Sequence, residues 1–289
     1  MQWLNAVLQG MLLGGLYALL AAGLSLMFGV MRIVNLAHGV LAMLAAYLGF
    51  VLVNNIGLPW VVGLVLVVVI MAGVGFVLQW GLFNRALAKA GLAPLLVAFG
   101  LAVVLTQLLQ EIFSADNRSI DIGLIGTNSI QVSSDIYIGV FPLITFVAGV
   151  VVIAALQVFL NSTPLGRAMR ATSDDPDTVK LMGIDNRRVY AMATALALAT
   201  VGLAGMFIGT KTQFSPTYGD LVLIFAFEAV IIGGLGSLWG TLVGGIVLGV
   251  AQAVGNQINP AYGLLIGNLV FLAILAFRPQ GLLPKAVTT

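Results

Sequence analysis

Residues 161–189 read NSTPLGRAMRATSDDPDTVKLMGIDNRRV. Nine of the twenty-two charged residues of the chain, twelve basic and ten acidic in all, fall here: Arg167, Arg170, Asp174, Asp175, Asp177, Lys180, Asp185, Arg187 and Arg188. On both sides the sequence is almost continuously apolar. Over 289 residues it is 61% hydrophobic and 8% charged, with a mean hydropathy of +1.12; water-soluble domains run near 45–50% apolar and about 25% charged. Such a chain is built for lipid, and the quoted stretch is its one large wet surface.

The rest divides into membrane-spanning helices. A bilayer core about 30 Å thick needs about 20 apolar residues in helical form, and long unbroken runs exclude a barrel. Nine candidate spans follow: Leu4–Val30, Leu36–Val53, Pro59–Phe83, Leu92–Phe113, Tyr137–Leu160, Tyr190–Gly209, Leu221–Leu235, Leu238–Val254 and Tyr262–Phe277. The last four are hard to divide, so the expected fold is an all-α polytopic bundle of 8–10 helices. The first run carries no charge before Arg32 and exceeds the core of a signal peptide, about 7–15 residues, so it reads as a retained span. The whole chain, residues 1–289, reads as one membrane domain.

Alternation of nine spans places Arg32, then Arg85 with Lys89, then residues 161–189, then Arg278 with Lys285 on one side. Basic residues in short loops stay cytoplasmic, so this side and the C-terminus face the cytoplasm. The opposite side receives the loop Ser114–Asp135, with Asp116, Arg118, Asp121 and Asp135. That loop has the size to meet an external protein and reads equally well as a solvated connection.

Helix punctuation in residues 161–189 is dense. Thr163 before Pro164 predicts one helix over Leu165–Ala171. Asp175 as cap, Pro176 at the first helical position and Gly183 after the end predict a second over Pro176–Met182. Asp174, Asp175 and Asp177 crowd its start, where the helix dipole favours negative charge. Val179 and Met182 are three apart and so share a face between charged flanks, the pattern of a short helix that docks in a partner's groove. A merely solvated connection is the competing reading, but most connections need only about 4–6 residues.

Other residues stand out by contrast with their surroundings. Asn35 and His38 sit at the edge of the second span; they either bond a neighbouring helix or line a cavity at a broken helix. Glu228, in LIFAFEAVIIGG, is the one acid placed inside the membrane, with a gating or packing role or a donor on another subunit. Gly236, Gly240, Gly244, Gly245 and Gly249 recur at helical spacing and mark a tight helix contact. With Gly233 and Gly234, Gly236 also predicts a bend or break.

Three segments together are specific: LGRAMRATSDDPDTVKLMGIDNRRV, MRIVNLAHG at residues 31–39 and AVIIGGLGSLWGTLVGGIVLG at residues 229–249. In this order they resemble motifs of the permease subunits of branched-chain amino acid ABC importers, and the resemblance runs from Leu12 to Pro284. It implies pairing with a second, homologous permease as a hetero- or homodimer, two cytoplasmic ABC ATPase subunits and a periplasmic solute-binding protein. It implies a bacterial inner membrane and transport of a branched-chain amino acid or related small polar solute. Residues 161–189, with Gly166, Arg167 and Arg170 in the GRAxRA motif, then form the coupling element that meets the ATPase.

The rest of the sequence fits a transport subunit without chemistry of its own. It holds one His and no Cys, which excludes a His-based metal cluster, a thiolate metal site and a catalytic dyad with a second His. No G-x-x-x-x-G-K-[ST] occurs, so no cofactor is expected on this chain, and ATP and Mg belong to partner subunits. The net charge of +2, spread over loops, points away from nucleic acid. A stand-alone channel or secondary transporter is the alternative; its selectivity groups would have to come from Glu228, Asn35 and His38.

Overall fold

The computed structural model describes residues 2–89, 91–123, 128–133 and 136–283. Asp135 and Lys285, which the sequence reading placed on opposite sides of the membrane, lie outside them. The elements in chain order are α1 (Gln2–Met31), α2 (His38–Asn55), α3 (Trp60–Leu87) and α4 (Ala93–Phe113). A short antiparallel hairpin follows, β1 (Ser129–Ser133) and β2 (Ile136–Gly139). Then come α5 (Val140–Ser162), α6 (Pro164–Asp174), α7 (Pro176–Leu181), α8 (Asn186–Lys211), α9 (Tyr218–Gly233), α10 (Leu238–Ile258) and α11 (Tyr262–Phe277). α2 and α3 carry π-helical turns at Val51–Asn55 and Gln79–Phe83.

Every expected span has its helix. Among the described residues seven helices are long and apolar enough to cross a membrane: α1, α2, α3, α4, α5, α8 and α10. α9 and α11, the other two expected spans, are 16 residues each, about 24 Å at 1.5 Å per residue, shorter than a bilayer core of about 30 Å.

α1 is the axis of the bundle. In its most apolar stretch 83% of residues are buried, against 22% in α3 and α5 and 11% in α4. A helix without a single charge gains no orientation from electrostatics, so contact at the backbone has to place it, and glycine permits that contact. A Cβ on Gly14 would stand 2.6 Å from the Gly245 carbonyl of α10, and one on Gly10 would stand 2.6 Å from Val250 Cα. Gly15 meets Phe146 of α5, and Gly23 meets the Ala197 carbonyl of α8. The expected glycine stripe therefore divides its work. Gly245 and Gly249 face α1, while Gly240 and Gly244 face Gly233 and Ala229 of α9.

The predicted break is present. α9 stops at Gly233, Gly234 and Gly236 take positive φ (108° and 79°), and Ser237 caps α10 by accepting the Gly240 N–H at 3.1 Å. The last carbonyls of α9 are closed from a distant part of the chain: Leu282 N–H donates to Ile232 O and Leu283 N–H to Gly233 O. Such groups must be satisfied within the protein, since lipid offers no partner.

Two segments turn back into the bundle. α1 ends at Met31 and Arg32 takes a positive φ of 54°. His38, at the first turn of α2, then reaches the Leu20 carbonyl, eleven residues back along α1, or about 16 Å. α2 thus starts deep inside. α9 starts inside too: its Gly219 packs against the backbone of Gly39 and Val40.

Replacing Gly245 with Leu is expected to cost more than the usual overpacking penalty of about 1–3 kcal/mol, because backbone rather than a flexible side chain blocks the space. Gly73→Leu, on the open face of α3 where nothing lies within 4 Å, is the control. Size-exclusion of detergent-extracted protein should show loss of the monodisperse peak for the first variant only.

Candidate functional site: the charged helical unit and the interior polar groups

The unit begins as its sequence predicts and runs slightly longer. Thr163 Oγ1 accepts the Gly166 N–H at 3.0 Å, and α6 continues from Pro164 to Asp174. Its inner face is fixed by Met169, fully buried among Leu26, Met27 and Val30 of α1, Ile153 of α5 and Val189 of α8. Gly166 lies so close to α5 that a Cβ would stand 2.5 Å from Leu160 Cα. Arg167 and Arg170 are exposed and fold back, donating to Ser162 O at 3.0 Å and to Asn161 Oδ1 at 3.2 Å. These are groups at the C-terminal end of α5, where positive charge is favoured.

Asp175 caps α7 with three bonds. It accepts from the Asp177 and Thr178 N–H groups, each at 3.1 Å, and from the Thr178 hydroxyl at 2.5 Å. The Thr178 bonds hold the Asp175 carboxyl below its ordinary pKa, because they favour the charged form. Asp177 pairs with Lys180 at 2.8 Å, which raises the lysine's pKa; both side chains are exposed. Pro176 takes the first helical position and Gly183 the left-handed one, φ +81°. Asp174 is exposed at the end of α6.

The expected apolar knob needs correction. Val179 is buried, 4% exposed, and points into the unit, whereas Leu181 and Met182 are 89% and 75% exposed. The spacing argument paired Val179 with Met182 as if both were helical. α7 ends at Leu181, and Met182 has φ −84°, ψ 7°, so helical periodicity no longer applies to it. Leu181, two residues from Val179 and hence on the opposite face, is the position the sequence reading missed.

Three bonds tie the unit to the bundle, none of them foreseen from the sequence. Ser173 Oγ donates to Gly29 O at 2.6 Å, Arg32 donates to Ser173 O at 3.3 Å, and Asn186 Nδ2 donates to Pro176 O at 2.6 Å. The α6–α7 junction is thereby fastened to the end of α1 and the start of α8. A push on Leu181 and Met182 would be passed to those two helices.

The interior polar residues do not join this surface or one another. Asn35, 1% exposed, closes a turn by accepting the Ala37 N–H at 3.0 Å. His38, fully buried, donates from Nε2 to Leu20 O at 2.9 Å. Both sit at the deep start of α2, not at the end of a span, and the bonds they make are a local turn and a link to the neighbouring helix α1. Glu228 is 4% exposed in the body of α9; with the Asn268 side-chain amide of α11 turned so that its nitrogen faces the carboxylate, Oε1 accepts from it at 2.8 Å, while Oε2 has no partner among the described residues. Nearby, Tyr17 of α1 donates to Gln252 of α10 at 2.5 Å. Among the described residues no three His, Asp or Glu side chains gather as a metal site.

Comparison with known proteins agrees with this architecture. Residues 6–275 match the family model described as branched-chain amino acid transport system / permease component. The chain belongs to that family. It is 26% identical to the high-affinity branched-chain amino acid transport system permease protein BraD of Pseudomonas aeruginosa, covering 98% of this chain and 96% of that one. It is 27% identical to the corresponding permease protein LivH of Escherichia coli K12, with the same coverage. Among solved structures it resembles PsaBC from Streptococcus pneumoniae in complex with Fab, at a TM-score of 0.51 and 14% identity over 96% of this chain and 93% of that one; that likeness is one of fold. As a member of this family the chain is a multi-pass, all-helical membrane protein and a transport component.

In this permease Asp175→Ala should unravel α7, while Asp175→Asn should keep the turn with a weaker bond. Since the folded pKa is depressed, the stabilisation is present above the ordinary carboxylate range and is lost as pH falls through the folded value. Hydrogen exchange at the Thr178–Leu181 amides should speed up in the alanine variant at neutral pH, and in the wild type only at strongly acidic pH.

Proposed function

We propose that this chain is the membrane-spanning subunit of an ATP-driven importer that admits branched-chain amino acids or a close chemical relative. It lies in a bacterial inner membrane, with α6, α7 and the C-terminus in the cytoplasm. Cytoplasmic ATPase subunits carrying ATP and Mg dock on the α6–α7 unit, and a periplasmic binding protein delivers the solute. The observation that carries this reading is the pair Leu181 and Met182: two large apolar side chains exposed to water on a capped helix that is bonded to α1 and α8. An exposed apolar tip flanked by charges fits the groove of a protein partner.

A second, related permease completes the membrane part. α4 supports this, because Gln107 and Glu111 are exposed on one face of a span, and lipid cannot satisfy them. They are suited to an interface or a water-filled path between two such subunits. ATPase closure then moves α7, and through Asn186 and Ser173 the motion reorients α8 and α1 in alternating access.

Changing Leu181 and Met182 together to Asp should abolish co-purification with the ATPase subunits and reduce ATP-driven leucine uptake in proteoliposomes by at least about tenfold, the scale of a lost interface anchor. Folding should be retained, since both side chains are exposed. Uptake and association at the wild-type level in this variant would overturn the docking surface. Leucine transport by the lone chain without ATPase would overturn the importer.

A further inference from the structure

α8 starts beside the α6–α7 unit and ends at Lys211, at the opposite end of the bundle. A cavity of about 110 Å³ opens there, between α1, the end of α8 and the first two turns of α9. Lys211, Thr212 and Tyr218 are half-buried members of its lining, whereas Leu16, Leu20 and Phe225 are buried. Along α1 the lining runs from Leu13 to Leu20, about 10 Å. The space is polar at its mouth and apolar at its floor.

Among the described residues Lys211 is the one charged member of the lining, and no acid stands beside it there. It takes part in none of the ion pairs formed among the described residues. Tyr17 and Thr212, by contrast, already donate their hydroxyl protons, to Gln252 and to Ile208 O. A lysine at the end of a span commonly lays its stem on apolar surface and holds its head in water, and that needs no cavity. Lys211 has one beside it, where the dielectric is lower than in bulk water and a carboxylate gains more from the ammonium. The first turn of α9 adds to the same sign, since helix N-termini favour negative charge. Size narrows the occupant further. An apolar cavity of about 150 Å³ takes one benzene molecule, so this smaller space suits a branch of about four or five carbons and not the acyl chain of a lipid.

We propose that this cavity is where the solute enters the permease, with its carboxylate on the Lys211 ammonium and its apolar branch on the floor of Leu16, Leu20 and Phe225. The proposal rests on the importer and the solute class proposed above, and it makes Lys211 the residue that selects for a free carboxylate. With no acid in the described lining, the solute's own ammonium stays in the water at the mouth.

The test uses the complete complex in proteoliposomes loaded with ATP, with labelled L-leucine presented outside on the binding protein. Lys211→Met should lower the initial uptake rate about tenfold, and Lys211→Arg, which keeps the charge, by no more than about twofold. Co-purification of the ATPase subunits with each variant verifies assembly. This chain has no cysteine, so Lys211→Cys, in a complex whose other subunits expose no thiol, adds a single reactive group. Aminoethyl methanethiosulfonate returns a positive charge to that position and should restore uptake; the sulfonatoethyl reagent, which adds a negative one, should not. In saturation-transfer NMR of the purified complex without binding protein, 4-methylpentanoate should bind and isoamylamine, which lacks the carboxylate, should not. Binding of 4-methylpentanoate should disappear in Lys211→Met. Wild-type uptake in Lys211→Met, or recovery that does not follow the charge of the reagent, overturns the site while leaving the importer standing. A dependence on Lys211 that vanishes in vesicles of phosphatidylcholine alone, where no anionic headgroup is present, assigns the lysine to lipid and overturns the site as well. If the wild-type complex moves no leucine with ATP, the solute assignment itself fails, and the site falls with it unless 4-methylpentanoate still binds and loses that binding in Lys211→Met.

Discussion

Backbone-to-backbone contact at α1 is the constraint on which the other features depend. α1 has thirty residues and no charge, so neither salt bridges nor an amphipathic stripe can set its rotation. Gly10, Gly14, Gly15 and Gly23 do so instead, each by admitting a different neighbour to van der Waals distance. Once α1 is fixed, α10, α5 and α8 are placed around it. The Leu20 carbonyl is then available to His38, and the Gly29 carbonyl to Ser173. The α6–α7 unit is therefore registered on the helix that also orders the interior.

The buried polar groups add a second layer of definition. Tyr17 with Gln252, Glu228 with Asn268, His38 with Leu20 and Thr194 with Gln79 each join two different helices. Inside a membrane protein such bonds contribute on the order of 0.6–2 kcal/mol each, small beside the packing. Their larger effect is to reject other rotations of the same apolar helices, because any slip leaves a polar atom without a partner.

Much of this was legible in the sequence because it depends on local chemistry. Thr163, Asp175, Pro176 and Gly183 define their helix ends through bonds made within a few residues, so their types and order sufficed. The run from Gly233 to Gly236 announced a break for the same reason. What escaped notice depends on long-range geometry. The deep start of α2 is set by a carbonyl on α1, which no span-finding rule can see. The exposure of Leu181 rather than Val179 depends on where a six-residue helix stops, one residue earlier than the spacing assumed. Ser173 and Asn186 look like ordinary polar loop residues until their partners on α1 and α7 are known.

The closure of α9 by Leu282 and Leu283 also bears on how the molecule is made. Until those residues leave the ribosome and Gly281 settles against Gly234, the carbonyls of Ile232 and Gly233 lack the partners they have in the finished arrangement. The Gly234–Gly236 corner can therefore reach its final form only after nearly the whole described chain has been synthesised. The corner where α9 passes into α10 would thus be completed late in biogenesis, by backbone groups synthesised about fifty residues after it.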